Sequence, residues 1–157
     1  MPPKFSLQSI LDFQHRQVEI LEVEMSQLLR LRLEAQDLMN RLLGEQKTLY
    51  WELSDLQTGD MDLVAISQVR SAVKRLNEQI VNQQIELERL DRLIEDKRVH
   101  IVQTKQDESV LEKLREKEWS RFEEKVIRQE KILQDDIYTA KAHAQASSVG
   151  TKEGIRI

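Results

Sequence analysis

The sequence predicts an all-α fold, a long antiparallel two-helix coiled-coil hairpin whose second helix extends past the first. Three observations predict it. Apolar residues recur at a 3.5-residue spacing on both sides of one turn, the repeat that keeps a stripe facing a partner helix. Residues 60–149 contain neither Pro nor Gly, and so long a stretch without a breaker reads as one helix. The composition is that of long helices, with 33% charged residues, 4% aromatic residues, two Pro and four Gly in 157 residues. An apolar fraction of 39% is too high for disorder at this charge content and low for a thick core, so the apolar residues are expected to form a narrow seam.

The first helix is expected over about residues 6–57, beginning near Ser6 or Ser9, where Ser9-Ile10-Leu11-Asp12 resembles a capping box. Alternate steps of four and three from Leu7 reach Leu11, Gln14, Val18, Leu21, Met25, Leu28, Arg32, Ala35, Met39, Leu42, Gln46, Leu49, Leu53 and Leu56. Only Gln14, Arg32 and Gln46 break the apolar seam, and few helices on a globular core hold phase so long. Gly44 interrupts this helix at a cost of about 1 kcal/mol relative to Ala; it reads as a bend, a close helix approach or a tolerated defect.

The turn is expected at about residues 58–62. Gly59 supplies the positive φ that follows a helix end, and Asp60 or Asp62 caps the next helix. The second helix, about 63–146, carries a matching seam through Ile66, Val69, Val73, Leu76, Ile80, Leu87, Leu90, Ile94, Ile101 and Leu111, with Gln83, Lys97, Thr104 and Glu108 as polar members. After Leu111 the stripe shifts by one residue to Trp119, Phe122, Val126, Leu133 and Ala140, as an insertion of four residues would shift it. Residues 147–157 lack periodicity and read as a flexible tail, so residues 1–146 are expected to form a single hairpin domain.

A short turn between matching seams makes the helices antiparallel neighbours, with facing residue numbers summing to about 119. Leu7 then faces the neighbourhood of Leu111, and about thirty residues of the second helix run on alone. The paired part is expected to be on the order of 75 Å long and the longer helix about 120 Å. Gln14 is expected near Thr104, and Arg32 near Gln83 and Leu87. Such residues either fix the register as polar layers or let their long side chains reach out of the seam to water.

Several function classes fall away. A net charge of −4 with interleaved signs lacks the clustered cations that nucleic acid requires. No run of 18 apolar residues spans a membrane, and no signal-peptide core follows Met1-Pro2-Pro3-Lys4. Cys is absent, which fits a reducing cytoplasm. His15, His100 and His143 are scattered, with none four residues from another, so they read as exposed helical residues. Asp135 and Asp136 point about 100° apart on a helix and cannot share a ligand as an i, i+4 pair does. No phosphate loop or nucleophile elbow is present. The expectation is a non-enzyme with no cofactor, no metal, no nucleic-acid partner and no small-molecule substrate.

Function is then expected in apolar residues off the seam. Phe13, Ile20 and Val23 lie on the outer face of the first helix, Val81 and Ile85 form an i, i+4 pair on the second, and Tyr50 and Trp51 lie near the turn. The strongest cluster is Trp119, Phe122 and Val126, beyond the end of the first helix. It either receives another protein, for which aromatic anchors are favoured, or packs on Phe5, Leu7 and Ile10. The candidate partner-binding residues are Leu111, Leu114, Trp119, Phe122, Val126, Val81 and Ile85.

The segment Leu111-Glu112-Lys113-Leu114-Arg115-Glu116-Lys117-Glu118-Trp119-Ser120-Arg121-Phe122, followed by Gln134-Asp135-Asp136-Ile137, resembles the flagellar export protein FliJ family. The opening Phe5-Ser6-Leu7-Gln8-Ser9-Ile10-Leu11 and the stretch Leu76-Asn77-Glu78-Gln79-Ile80 are similar to that family as well. The resemblance spans nearly residues 5–140 and implies a two-helix coiled coil similar to the central stalk of rotary ATPases. It further implies a soluble part of the flagellar type III export apparatus, in the cytoplasm and peripheral to the inner membrane at the flagellar base. The partners it implies are the flagellar export ATPase ring, the export gate membrane protein and export chaperones. Two alternatives are a stalk-like subunit of a rotary ATPase and a homodimeric coiled-coil scaffold.

Overall fold

The computed structural model describes residues 4–153, with side chains through residue 149. Two α-helices pack against each other, α1 (Gln8–Leu56) and the longer α2 (Leu63–Glu153), and no strand occurs among the described residues. The all-α two-helix fold is the one the heptads predict.

The ends of the helices follow from local hydrogen bonding. At the start of α1 the Gln8 amide donates to the Phe5 carbonyl at 3.1 Å, and the Leu11 amide to that of Leu7 at 3.0 Å. The expected capping box does not form. Ser9 already lies inside the helix, Asp12 accepts from Gln8 Nε2 at 2.9 Å, and the Ser6 hydroxyl turns to Glu118. At the turn Gly59 has φ of +88°, a conformation that costs residues with a Cβ but not glycine. Of the two candidate caps Asp62 is the one used. Its Oδ1 accepts from the amides of Val64 (3.1 Å) and Ala65 (3.3 Å), two of the orphan donors of the first turn of α2. At its other end α2 continues beyond position 146, where the loss of periodicity ended the expected helix, to Glu153. Ser147, Ser148 and Val149 have modest helix propensity but do not break a helix as Pro does. The last four residues of the expected tail lie outside the described residues.

The chain divides into two compact units, one of residues 13–107 and one that joins residues 1–12 to residues 108–157. In the first, every seam position from Gln14 to Leu56 and from Ile66 to Thr104 is buried or half-buried. Leu76, Leu87 and Leu90 are 5%, 4% and 3% exposed, and Met39 and Ile66 are comparably covered. Full burial of such a side chain contributes about 1.5–3 kcal/mol, so this thin seam carries most of the unit's stability. Gly44 sits exposed in unbroken helix, with nothing within 4 Å of where a Cβ would lie. That excludes a close helix approach.

The polar seam residues of this unit take both expected roles. Gln83 Nε2 donates across the seam to the main-chain oxygen of Ala35 at 2.8 Å, and Gln46 Nε2 to Asn77 Oδ1 at 2.7 Å. These are polar layers that satisfy themselves between the helices. Arg32 and Lys97 instead reach outward, Arg32 Nε to Asp91 at 2.7 Å and Lys97 Nζ to Glu24 at 2.6 Å. Thr104 is buried, and its hydroxyl donates to His100 O one turn back at 2.8 Å; no hydrogen bond joins it to Gln14 among the described residues. No buried side-chain polar atom lacks a partner among the described residues.

In the second unit Leu11 is fully buried, and Phe5, Leu7 and Leu111 are half-buried. The N-terminal segment covers only part of α2. From Ile127 to Val149 every side chain is exposed, among them Ile127, Ile132, Leu133, Ile137 and Tyr138.

Candidate protein interface

Most of the displaced stripe expected after Leu111 is not buried: Trp119, Leu133 and Ala140 are exposed. Past Leu111 and Glu112 the half-buried residues of α2 are Glu118, Phe122 and Val126. Glu118 and Phe122 continue the register of Leu111, and Val126 alone lies one residue off it. Trp119, next to the seam position Glu118, lies at the edge of the stripe and is 47% exposed.

Local bonding fixes the indole in place. Trp119 Nε1 donates to Glu123 Oε1 one turn ahead at 2.7 Å. The rings of Trp119 and Phe122 are tilted at 47° with centroids 5.8 Å apart, within the range of favourable aromatic pairs. Trp119 also helps to line a hollow of about 490 Å³ with Lys4, Phe5, Gln8, Arg115 and Glu118. The N-terminal segment thus flanks the aromatic cluster, as local packing requires, yet leaves half of the indole open. Leu111 is half-buried beside this region and Leu114 is 40% exposed. The structure brings Trp119 and Phe122 into contact and places Leu111, Leu114 and Val126 on neighbouring turns of the same helix.

Val81 and Ile85 belong to the other unit, 58% and 56% exposed. Val81 borders two hollows. One, of about 670 Å³, is lined by α2 alone through Arg70, Val73, Lys74, Asn77, Glu78 and Asn82. The other, of about 540 Å³, lies between the helices beside Met39, Leu43 and Leu87.

Sequence reasoning missed a further interhelical groove, of about 420 Å³, in which Leu28, Leu31 and Leu93 form an apolar floor rimmed by Glu24, Lys97 and His100. Its signal was present, since Leu31 and Leu93 directly precede the seam positions Arg32 and Ile94 and so widen the apolar stripe on one side. It likewise missed the cations of the Trp119 hollow, Lys4 and Arg115, which no heptad rule selects.

Charge on the outer face of α2 is organised in short pairs. Arg89 holds the Glu86 carboxyl below its usual range by a direct hydrogen bond at 2.6 Å, and Arg98 does the same to Glu95. These pairs stabilise helix and create no reactive group. The arrangement as a whole is one of apolar and aromatic side chains in shallow grooves, which suits the docking of protein surfaces. No described helix is long and apolar enough to cross a membrane.

A protein-family model described as "Flagellar FliJ protein" matches residues 3–147. No curated protein and no solved structure matches the chain.

Proposed function

Because this chain belongs to the flagellar FliJ protein family, a non-enzymatic component of the flagellar export apparatus, we propose that it is a coiled-coil adaptor of that apparatus. It binds the export ATPase ring, export chaperones and the export gate membrane protein. It works in the cytoplasm, peripheral to the inner membrane at the flagellar base, held there by its protein partners.

The observation that carries this reading is the bare stretch of α2. Phe122 and Val126 are only half-covered, Trp119 is 47% exposed, and every side chain from Ile127 to Val149 is exposed. An isolated helix in water is marginal unless an apolar face is buried, so a partner is the natural cover for Leu133 and Ile137 as well as for Trp119. Val81 and Ile85 offer a second, smaller contact, and Leu111 and Leu114 extend the first.

Co-purification of the full chain with the flagellar export ATPase tests the proposal. The chain is expected to retain the ATPase, and deletion of its gene to impair motility. Failure to retain the ATPase together with normal motility after deletion contradicts it.

A further inference from the structure

The hollow beside Trp119 is distinguished from the interhelical grooves of the other unit by its charge. In the groove floored by Leu28, Leu31 and Leu93, the cation Lys97 is bonded to Glu24 at 2.6 Å within the same lining. In the groove beside Met39 and Leu87, Arg32 is bonded to Asp91 at 2.7 Å, again within the lining. The Trp119 hollow holds two cations, Lys4 and Arg115, and neither side chain makes an ion pair or hydrogen bond among the described residues. Its one carboxylate, Glu118, accepts the Ser6 hydroxyl at 3.4 Å. The rest of the lining is Gln8, Phe5 and Trp119, whose indole is already held by Glu123 and Phe122.

We infer that this hollow receives an acidic segment of another protein bearing one bulky apolar side chain. The apolar side chain lies against Trp119 and Phe5, and flanking carboxylates pair with Lys4 and Arg115. A pinned indole loses little freedom on binding, which favours affinity at a small site, and the volume of about 490 Å³ falls within the range of side-chain and ligand pockets. Exposed cations at the rim confer selection for acidic sequences and salt-dependent binding. The inference rests on reading the stretch around Trp119 as a partner-binding surface, and it supplies the chemistry of what binds there.

The full chain carrying Trp51→Phe leaves Trp119 as its sole tryptophan and hence as a fluorescent reporter. The probe is a synthetic peptide with a single Leu flanked by Glu residues; one control replaces Glu by Lys and another replaces Leu by Ser. The acidic peptide is expected to shift Trp119 emission saturably, more weakly as salt rises, while both controls fail. Reversing both cations, Lys4→Glu with Arg115→Glu, is expected to weaken binding about tenfold. Arg128→Glu, a cation outside the hollow, is expected to leave it unchanged, with helix content checked throughout by circular dichroism. No saturable shift, equal binding of the Lys peptide, or an isotherm indifferent to the double reversal overturns the inference. So does a homodimer in sedimentation that Arg115→Glu abolishes, since the hollow then belongs to a second copy of this chain. If the acidic peptide fails while the chain still retains the export ATPase, the hollow alone has been misread and the adaptor proposal stands.

Discussion

Two glycines of similar sequence appearance have opposite roles. Gly59 holds φ at +88°, where a Cβ is strained, so Gly59→Ala is expected to destabilise the fold by about 1 kcal/mol. Gly44 has an ordinary helical backbone and nothing within 4 Å of a built Cβ, so Gly44→Ala is expected to stabilise by about 0.5–1 kcal/mol. Urea unfolding followed by circular dichroism checks both, and equal signs for the two variants contradict this account of the turn. The sequence separated them only in part. The turn residues around Gly59 identified it, whereas the emptiness around Gly44 depends on which face of α1 it occupies. The partners of the polar seam residues were also hard to read. Arg32 lines one groove with Leu87, near which it was expected, but its long side chain bonds a turn further on to Asp91, and Gln83 bonds a main-chain oxygen that side-chain pairing rules ignore.

At the level of the helices, the 3.5-residue repeat identified the buried face of α1, and of α2 through Leu111. All the seam positions of α1 from Leu7 to Leu56 are buried or half-buried, including the polar ones, because the phase of a helix decides which side chains face the partner regardless of their chemistry. Helix ends were less legible, since they depend on competition between local bonds. Ser6 and Asp12 both find side-chain partners other than the backbone amides they were expected to cap. Two consequences are measurable. Leu87, 4% exposed, lies at the centre of the seam, so Leu87→Ala is expected to cost about 2–4 kcal/mol in a chemical denaturation experiment. The carboxyls of Glu86 and Glu95 are lowered by hydrogen bonds from Arg89 and Arg98. A lowered carboxyl pKa adds stability above the unfolded value and loses it as pH falls through the folded one. Acidification below the ordinary glutamate range is therefore expected to weaken α2. The doubly substituted chain, Glu86→Gln with Glu95→Gln, is expected to show a smaller drop between neutral and acid pH than the unsubstituted chain. An identical drop in thermal midpoint for both chains contradicts that role.

For the whole molecule, a thin seam and an uncovered stretch of helix are complementary features. The seam suffices to hold α1 on α2, and because no thick core exists among the described residues, apolar residues are left over for other proteins. How much of this was readable differs by region. The aromatic cluster after Leu111 stood out in the sequence because it breaks a long regular pattern, but the displaced stripe expected there is largely uncovered, with Trp119, Leu133 and Ala140 exposed. The hollow beside the cluster did not stand out, because it takes Lys4 and Phe5 from one end of the chain and Arg115 from a position more than a hundred residues away. On the function proposed above, this member of the flagellar FliJ protein family docks on its protein partners through the Trp119 region of α2. The most direct test measures the affinity of the full chain for the export ATPase with and without Trp119→Ala and Phe122→Ala. With helix content unchanged, the double substitution is expected to weaken binding by about thirtyfold or more, corresponding to loss of about 2 kcal/mol at an aromatic anchor. An affinity that survives the double substitution unaltered contradicts the claim.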